Sequence, residues 1–198
     1  EAAHLVTSRV SGETLEVDVR RRVVDATYLS PTVPSTTPPP FGVADDAAVV
    51  AINDLARLAE AASSYVIVGA GKTATDGIVW LLGQGVPQER ITWVRPRDPW
   101  MLNRAMVQPD PVVASGLVAD TMAAAADATS LDDLFLRLEA SDVMLRVDPA
   151  VLPTMAKAPT LGAWELDLLR TIERVVRLGH VRHVPSREIT FVEGSIPL

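Results

Sequence analysis

The chain has 198 residues, 48 % of them hydrophobic, and a net charge of −7 at neutral pH, with an isoelectric point near 4.9 and a mean hydropathy of +0.21; that is apolar material for one good core, or one domain plus part of another. The acidic balance argues against a general nucleic-acid or anionic-membrane binder, because phosphates would be repelled except at a local basic patch. No cysteine is present, which excludes disulfides, thiolate metal sites and a redox-active cysteine pair and fits a cytoplasmic protein.

The opening residues "EAAHLVTSRV" lack the regions of a signal peptide, and no run of about 18 uncharged apolar residues offers a membrane span. With no initiating Met, the chain reads as an excised piece of something longer. A strand is expected around Leu5 to Val10, a turn at Ser11-Gly12, and a half-buried strand where Leu15, Val17 and Val19 alternate with Glu16, Asp18 and Arg20. "RRVVDATYL" reads as a further strand. From Ser30 to Pro40 five prolines in eleven residues make a stiff, extended connector. A domain boundary is therefore placed there, with residues 1–40 on one side and 41–198 on the other. Residues 44–62 are expected to be helical.

Tyr65 to Val68 form an apolar run that leads into "GAGKTATD". Gly71, Lys72 and Thr73 suggest a P-loop, but G-x-x-x-x-G-K-[ST] requires a glycine at position 66, and that residue is Val66. The dinucleotide pattern G-x-G-x-x-[GA] is filled instead: Gly69 for the tight turn, Gly71 for close approach of a pyrophosphate, Ala74 for packing of helix on strand. Ala74, Ile78, Leu81 and Leu82 then recur as a helical stripe, "GQG" at 83–85 supplies a glycine C-cap before Pro87, and Ile91 to Val94 read as a second, parallel strand. The expected fold is α/β, a Rossmann-like three-layer NAD(P)-binding domain with a parallel sheet. A helical insertion follows at about 111–178, built from "VADTMAAAADA", "LDDLFLRLEA" and a helix running to Gly179 that carries Leu168, Leu169, Ile172, Val175 and Val176 on one face. The tail "HVRHVPSREITFVEG" reads as two short strands around Pro185 and Ser186 and a turn at Glu193-Gly194. No internal repeat is visible.

A nucleotide at this turn would meet Gly69, Gly71, Lys72, Thr73 and Ala74. An acid at the end of the second strand would take a ribose 2′-hydroxyl, whereas an arginine favours the 2′-phosphate of NADP. Here the strand runs into Arg95 and Arg97, and Glu89 lies at its wrong end, so NADP(H) is the expected cofactor. Trp100 and Arg104 share a face if that segment is helical, and would add an adenine contact and a phosphate charge; a packing tryptophan is the equal alternative. Lys72 could equally be a plain loop lysine. Asp76 is read as a helix-start acid and Asp132-Asp133 likewise. His180 and His183 are three apart, point to opposite faces of a strand and cannot share a metal, so both are read as structural or surface residues. No catalytic and no metal-binding residue is assigned. A short-chain dehydrogenase is excluded, because Tyr28 and Tyr65 have Thr32 and Gly69 four residues on, and a methyltransferase is disfavoured by Arg95.

"VIVGAGKTATD" resembles the NADPH-binding glycine motif of flavin-containing monooxygenases, through Thr73, Ala74 and Asp76, and "RPRDPWMLNR" resembles the Arg/Trp/Arg segment that follows it. "RRVVDATYLSPTVPSTTPPPF" is similar to the strand and connector by which two-dinucleotide flavoproteins of the pyridine nucleotide-disulfide oxidoreductase kind pass from an FAD domain to an NADP domain. The resemblance covers residues 22–110, and more loosely 160–198 as a return toward the FAD domain. It implies strands of an FAD domain at the chain ends, FAD bound elsewhere in a longer parent, and a hydride passed from NADPH to that flavin. "FGVADDAAVVAINDL" lacks F-x-G-x-x-x-H, which favours an unspecified FAD-dependent oxidoreductase over a monooxygenase, and with no FAD motif the isolated chain is expected to bind nucleotide but turn nothing over. The implied partners are the dinucleotide and the missing FAD-domain segments, with no nucleic acid and no membrane. The alternative is a non-catalytic nucleotide-responsive or protein-interaction module on the same scaffold.

Overall fold

The computed structural model describes residues 3–8, 10–25 and 32–198 and divides into two units, Glu1–Thr37 and Pro38–Leu198. In the first, β1 (Ala3–Thr7) and β2 (Thr14–Asp18) form an antiparallel hairpin, turned at Gly12, whose φ of 75° suits glycine. Every residue of β2 is exposed, Leu15 and Val17 included, so of the expected half-buried face only Val19, just past the strand, is half-buried. Residues 21–25 are not a strand, and the rest of "RRVVDATYL" lies outside the described residues.

The second unit begins with β3 (Gly42–Val43). Where a helix over 44–62 is expected, only a short 3-10 turn forms, Ile52–Arg57. Its anchors Ile52 and Leu55 are three apart, the period of a 3-10 turn, and most of the flanking residues are exposed, so no apolar stripe holds a longer helix. Next come β4 (Tyr65–Val68), α1 (Lys72–Gly83) and β5 (Ile91–Val94). α1 buries Ala74, Ile78 and Leu81 and ends in a Schellman motif. Gly85 has φ 80°, its N–H donates to the Leu82 carbonyl, and Val86 N–H donates to that of Leu81.

Residues 99–170 hold β6 (Pro99–Asn103), α2 (Pro111–Asp127), α3 (Leu131–Ala140), β7 (Met144–Leu145), β8 (Met155–Leu161) and α4 (Ala163–Arg170). The insertion is therefore not wholly helical: β6 is the middle strand of a small mixed sheet with β7 and β8. Asp110 caps α2, accepting from Val112 N–H at 2.7 Å, and Ser130 caps α3 through Asp133 N–H. The helix expected to reach Gly179 stops at Arg170. β-branched Thr171 and Ile172 follow, and Val175–Val176 becomes β9, which pairs with Trp93 and Val94. The chain closes with β10 (Val181–Val184), β11 (Glu188–Phe191) and β12 (Ser195–Pro197), near the expected strands, with Gly194 in the turn at φ 149°.

β4, β5 and β9 make a three-stranded parallel sheet in that order, in a mixed α/β architecture. Alternation along the strands divides the core. Ile67, Ile91 and Trp93 pack with Ile78 and Leu81 of α1 and Leu166 and Leu169 of α4. On the other face Val66, Val94 and Val176 pack against Val181, Val184, Ile189 and Phe191, the apolar side of the second sheet, β12-β11-β10-β3. A third cluster, around Ala124, Leu138 and Val143, joins α2 and α3 to the small sheet. Among the described residues no helix is long and apolar enough to cross a membrane.

Candidate functional site

Three residues, Gly69, Ala70 and Gly71, connect β4 to α1. Gly69 has φ 123°, a conformation closed to L side chains at ordinary cost; backbone conformation, not crowding, demands the glycine, since a Cβ there would meet Ala74 at an ordinary contact distance of 3.7 Å. The turn is held on both sides by β5. Val94 carbonyl accepts from Gly69 N–H at 2.9 Å, and Trp93 donates its indole N–H to the Gly69 carbonyl at 2.7 Å. Gly71 is the N-cap of α1 and brings no side-chain cap; its carbonyl takes the amides of Ala74 and Thr75, which leaves those of Lys72 and Thr73 for an external acceptor. A Cβ at Gly71 would meet nothing within 4 Å, and an approaching group finds that space open.

The turn forms one wall of a cleft of about 620 Å³. Pro96 and Arg97, just past β5, form another, and His180 and Arg182, at and inside the start of β10, stand on a third side. Arg97, His180 and Arg182 are all exposed. Among the described residues no carboxylate lines the cleft, although the chain as a whole carries an excess of seven negative charges. His183 lies away from this space and serves the fold. Its ring covers Gly42 of the neighbouring β3, where a Cβ would sit 2.5 Å from the imidazole carbon.

The cations expected at a nucleotide are distributed unequally. Arg95 is 2 % exposed, with Nη1 2.9 Å from Asp98 and its guanidinium 4.7 Å from the Trp93 ring centroid. Arg177 closes the group, donating to Asp98 at 2.8 Å and Asp148 at 2.7 Å. Burial lowers the Arg95 pKa, and Asp98 opposes that shift. The expectation that Arg95 reaches toward a ribose phosphate is thereby corrected: its charge is held inside the protein because Asp98, three residues on, is buried beside it. Trp100 is corrected as well. It lies in strand β6 rather than a helix, is 2 % exposed and stacks on Phe135 at 5.6 Å, so it is a packing residue and shares no helical face with Arg104.

Lys72 and Arg104 converge on one buried acid that no sequence motif singles out. Glu165, 4 % exposed, lies 2.9 Å from Lys72 Nζ and 3.0 Å from an Arg104 nitrogen, and accepts from Gly162 N–H at 2.6 Å. Lys72 also pairs with Asp76 one turn along α1, and Arg104 donates to Thr160. Burial alone would raise the Glu165 pKa. The Gly162 amide, Lys72 and Arg104 outweigh it and hold the carboxyl below the ordinary range. Thr73 is exposed on the first turn and Ala74 is buried. The structure thus brings Gly69, Gly71 and Arg97 to one cleft, while Arg95 and Trp100 turn inward and Lys72 and Arg104 are matched by Glu165. His180 and Arg182 stand in "HVRH", where the sequence draws attention only to the imidazoles of His180 and His183, too badly spaced for a metal.

No family model matches the chain, and no solved structure matches it. Three mycobacterial relatives do: Uncharacterized protein Rv2000 and Uncharacterized protein MT2056 of two Mycobacterium tuberculosis strains, and Uncharacterized protein Mb2023 of Mycobacterium bovis, each 42 % identical over 191 residues that cover 95 % of this chain. The chain spans 35 % of the length of these relatives.

Proposed function

We propose that this chain is the NADP(H)-binding, Rossmann-like part of an FAD-dependent oxidoreductase. One observation carries the reading: the uncapped start of α1, opened by Gly69 and Gly71, faces a cleft that contains arginines and no acid. Backbone amides at a helix start, aided by the helix dipole, suit a diphosphate. Arg97, at the end of the second strand, supplies the guanidinium for a 2′-phosphate in place of Arg95.

The nicotinamide supplies the hydride, and a flavin bound elsewhere in the parent receives it. The share of this chain is to bind and orient: Gly71 leaves room for the diphosphate, Trp93 holds the turn, and Arg97 selects the phosphorylated cofactor. No residue here is assigned a proton-transfer or nucleophilic role. The sequence contains no second glycine motif, so no FAD ligand is named. The exposed apolar residues of β1 and β2, Leu5, Val6, Leu15 and Val17, suit strands completed by further segments of an FAD domain, since a two-stranded hairpin is marginal on its own. A second reading, an interaction module on the same scaffold, draws on α2, where Val112, Val118 and Met122 are exposed.

Calorimetric titration of the chain with NADPH and NADH tests the first reading. Micromolar binding of NADPH with weaker NADH, and loss of the difference in Arg97→Ala, is the expected result. Equal affinity for the two removes the 2′-phosphate assignment, and no binding of either removes the nucleotide. A parent gene without an upstream glycine motif would move the balance to the interaction module.

A further inference from the structure

We propose that Arg182 is a specificity-determining residue that acts with Arg97 on the phosphate that distinguishes NADPH from NADH, so that selectivity is shared between the second strand of the nucleotide unit and the returning strand β10. This rests on the nucleotide reading above and extends it to a strand outside the βαβ unit.

The ladder of β10 carries the first observation. Val181 pairs with Phe191 and His183 with Thr190, so Arg182 has no opposite number: it is the extra residue of a β-bulge. Bulges turn one side chain out of the ladder and are common beside binding sites. Here the bulge lets Val181 and Val184, three apart, both be buried in the core between the sheets, while Arg182 lines the cleft. Its neighbours in the strand are held, Val181 and His183 by β11 and His183 also by β3. Such a platform presents a guanidinium without having to order a loop first.

Charge is the second observation. Of the cations near the glycine turn, Lys72 is paired with Asp76 and Glu165, Arg104 with Glu165, and Arg95 and Arg177 with Asp98 and Asp148. Among the described residues Arg97 and Arg182 have no ion-pair partner, and both line a cleft whose described walls hold no carboxylate. Two uncompensated guanidinium groups with a helix start across the same space fit a ligand with two separate phosphate groups: one on the amides, the other on the arginines.

The test is calorimetry on the 198-residue chain with NADPH and NADH, which differ only by that phosphate, for the wild type, Arg182→Ala, Arg182→Gln, Arg97→Ala and the Arg97→Ala/Arg182→Ala pair. Circular dichroism confirms that each variant is folded. Loss of either exposed arginine is expected to weaken NADPH by about 10-fold or more while NADH stays within about twofold, and the pair to cost less than the product of the single losses, since both act on one group. Equal weakening of both cofactors in Arg182→Ala and Arg182→Gln, or no change, overturns the role of Arg182 while the nucleotide reading stands. Failure of the wild type to bind either cofactor overturns both.

Discussion

Trp93 and Gly69 are tied across the parallel sheet: the indole N–H of one donates to the carbonyl of the other at 2.7 Å. The bond fixes the peptide just where the backbone takes its positive φ, and Trp93 is itself buried, at 1 % exposure, with the Arg95 guanidinium over its ring. A core tryptophan thus sets the geometry of the turn that borders the cleft.

Trp93→Phe keeps an aromatic ring under Arg95 but removes the donor, leaving the Gly69 carbonyl to find water. A loss of about 1–2 kcal/mol is expected in urea denaturation, together with several-fold weaker NADPH binding. Unchanged binding at reduced stability would show that the turn keeps its shape without the indole.

The two glycines of the turn separate fold from ligand. Gly69→Ala forces a side chain into a positive-φ position and is expected to cost about 1–3 kcal/mol. Gly71 has φ −87° and open space beside it, so Gly71→Ala is expected to leave stability within about 0.5 kcal/mol yet to weaken NADPH strongly, because the new methyl occupies the approach to the amides. Paired melting and titration of the two variants check this, and normal affinity in Gly71→Ala would place the ligand elsewhere.

Arg95 and Arg97, two residues apart, are expected to answer differently to truncation. Arg95→Ala removes a buried cation from Asp98, which keeps Arg177 at 2.8 Å; a loss of about 1–3 kcal/mol in stability is expected, with the ratio of NADPH to NADH affinity unchanged. Arg97→Ala leaves the melting temperature in place and changes the ratio. Measuring both quantities on both variants tests the inward assignment of Arg95.

Glu165 makes stability depend on acid. Its folded pKa lies below the ordinary value of 4.5, so its contribution is fully present above that value and is lost as pH falls through the lower, folded pKa. Asp148 adds in the same direction: its pKa is lowered first by the Ala150 amide and further by Arg177. Urea midpoints taken from about pH 6 to about pH 3.5 should fall for the wild type and fall less steeply for Glu165→Gln, which starts about 1–3 kcal/mol lower because Lys72 and Arg104 lose their shared acid. A parallel decline in the two proteins would sink the assignment.

What could be read directly was local and periodic. β4, the glycine turn, α1 with its Gly85 cap, and β5 depend on side-chain alternation, a helical stripe and one residue type at special φ, and each lies where it was expected. The failures share a cause. Residues 44–62 are rich in helix formers, but Ala47, Ile52 and Leu55, which pack against the core, are not spaced as a helical stripe. Val175 and Val176 continue a helical stripe, yet β5 has a free edge and takes them. Trp100 and Arg104 suggest one helical face, and the strand pairing of Pro99–Asn103 with β8 separates them.

The sequence by itself determined that a strand, a glycine turn and a helix would follow one another at residues 65–83, because sterics and short-range hydrogen bonds decide that within a few residues. Which arginine faces the cleft was a tertiary matter. Asp98, Asp148 and Glu165 come from three separate places in the chain, and only folding brings them close enough to pair with Arg95, Lys72 and Arg104, leaving Arg97 and a bulged residue more than eighty positions later as the arginines of the cleft still open to a ligand.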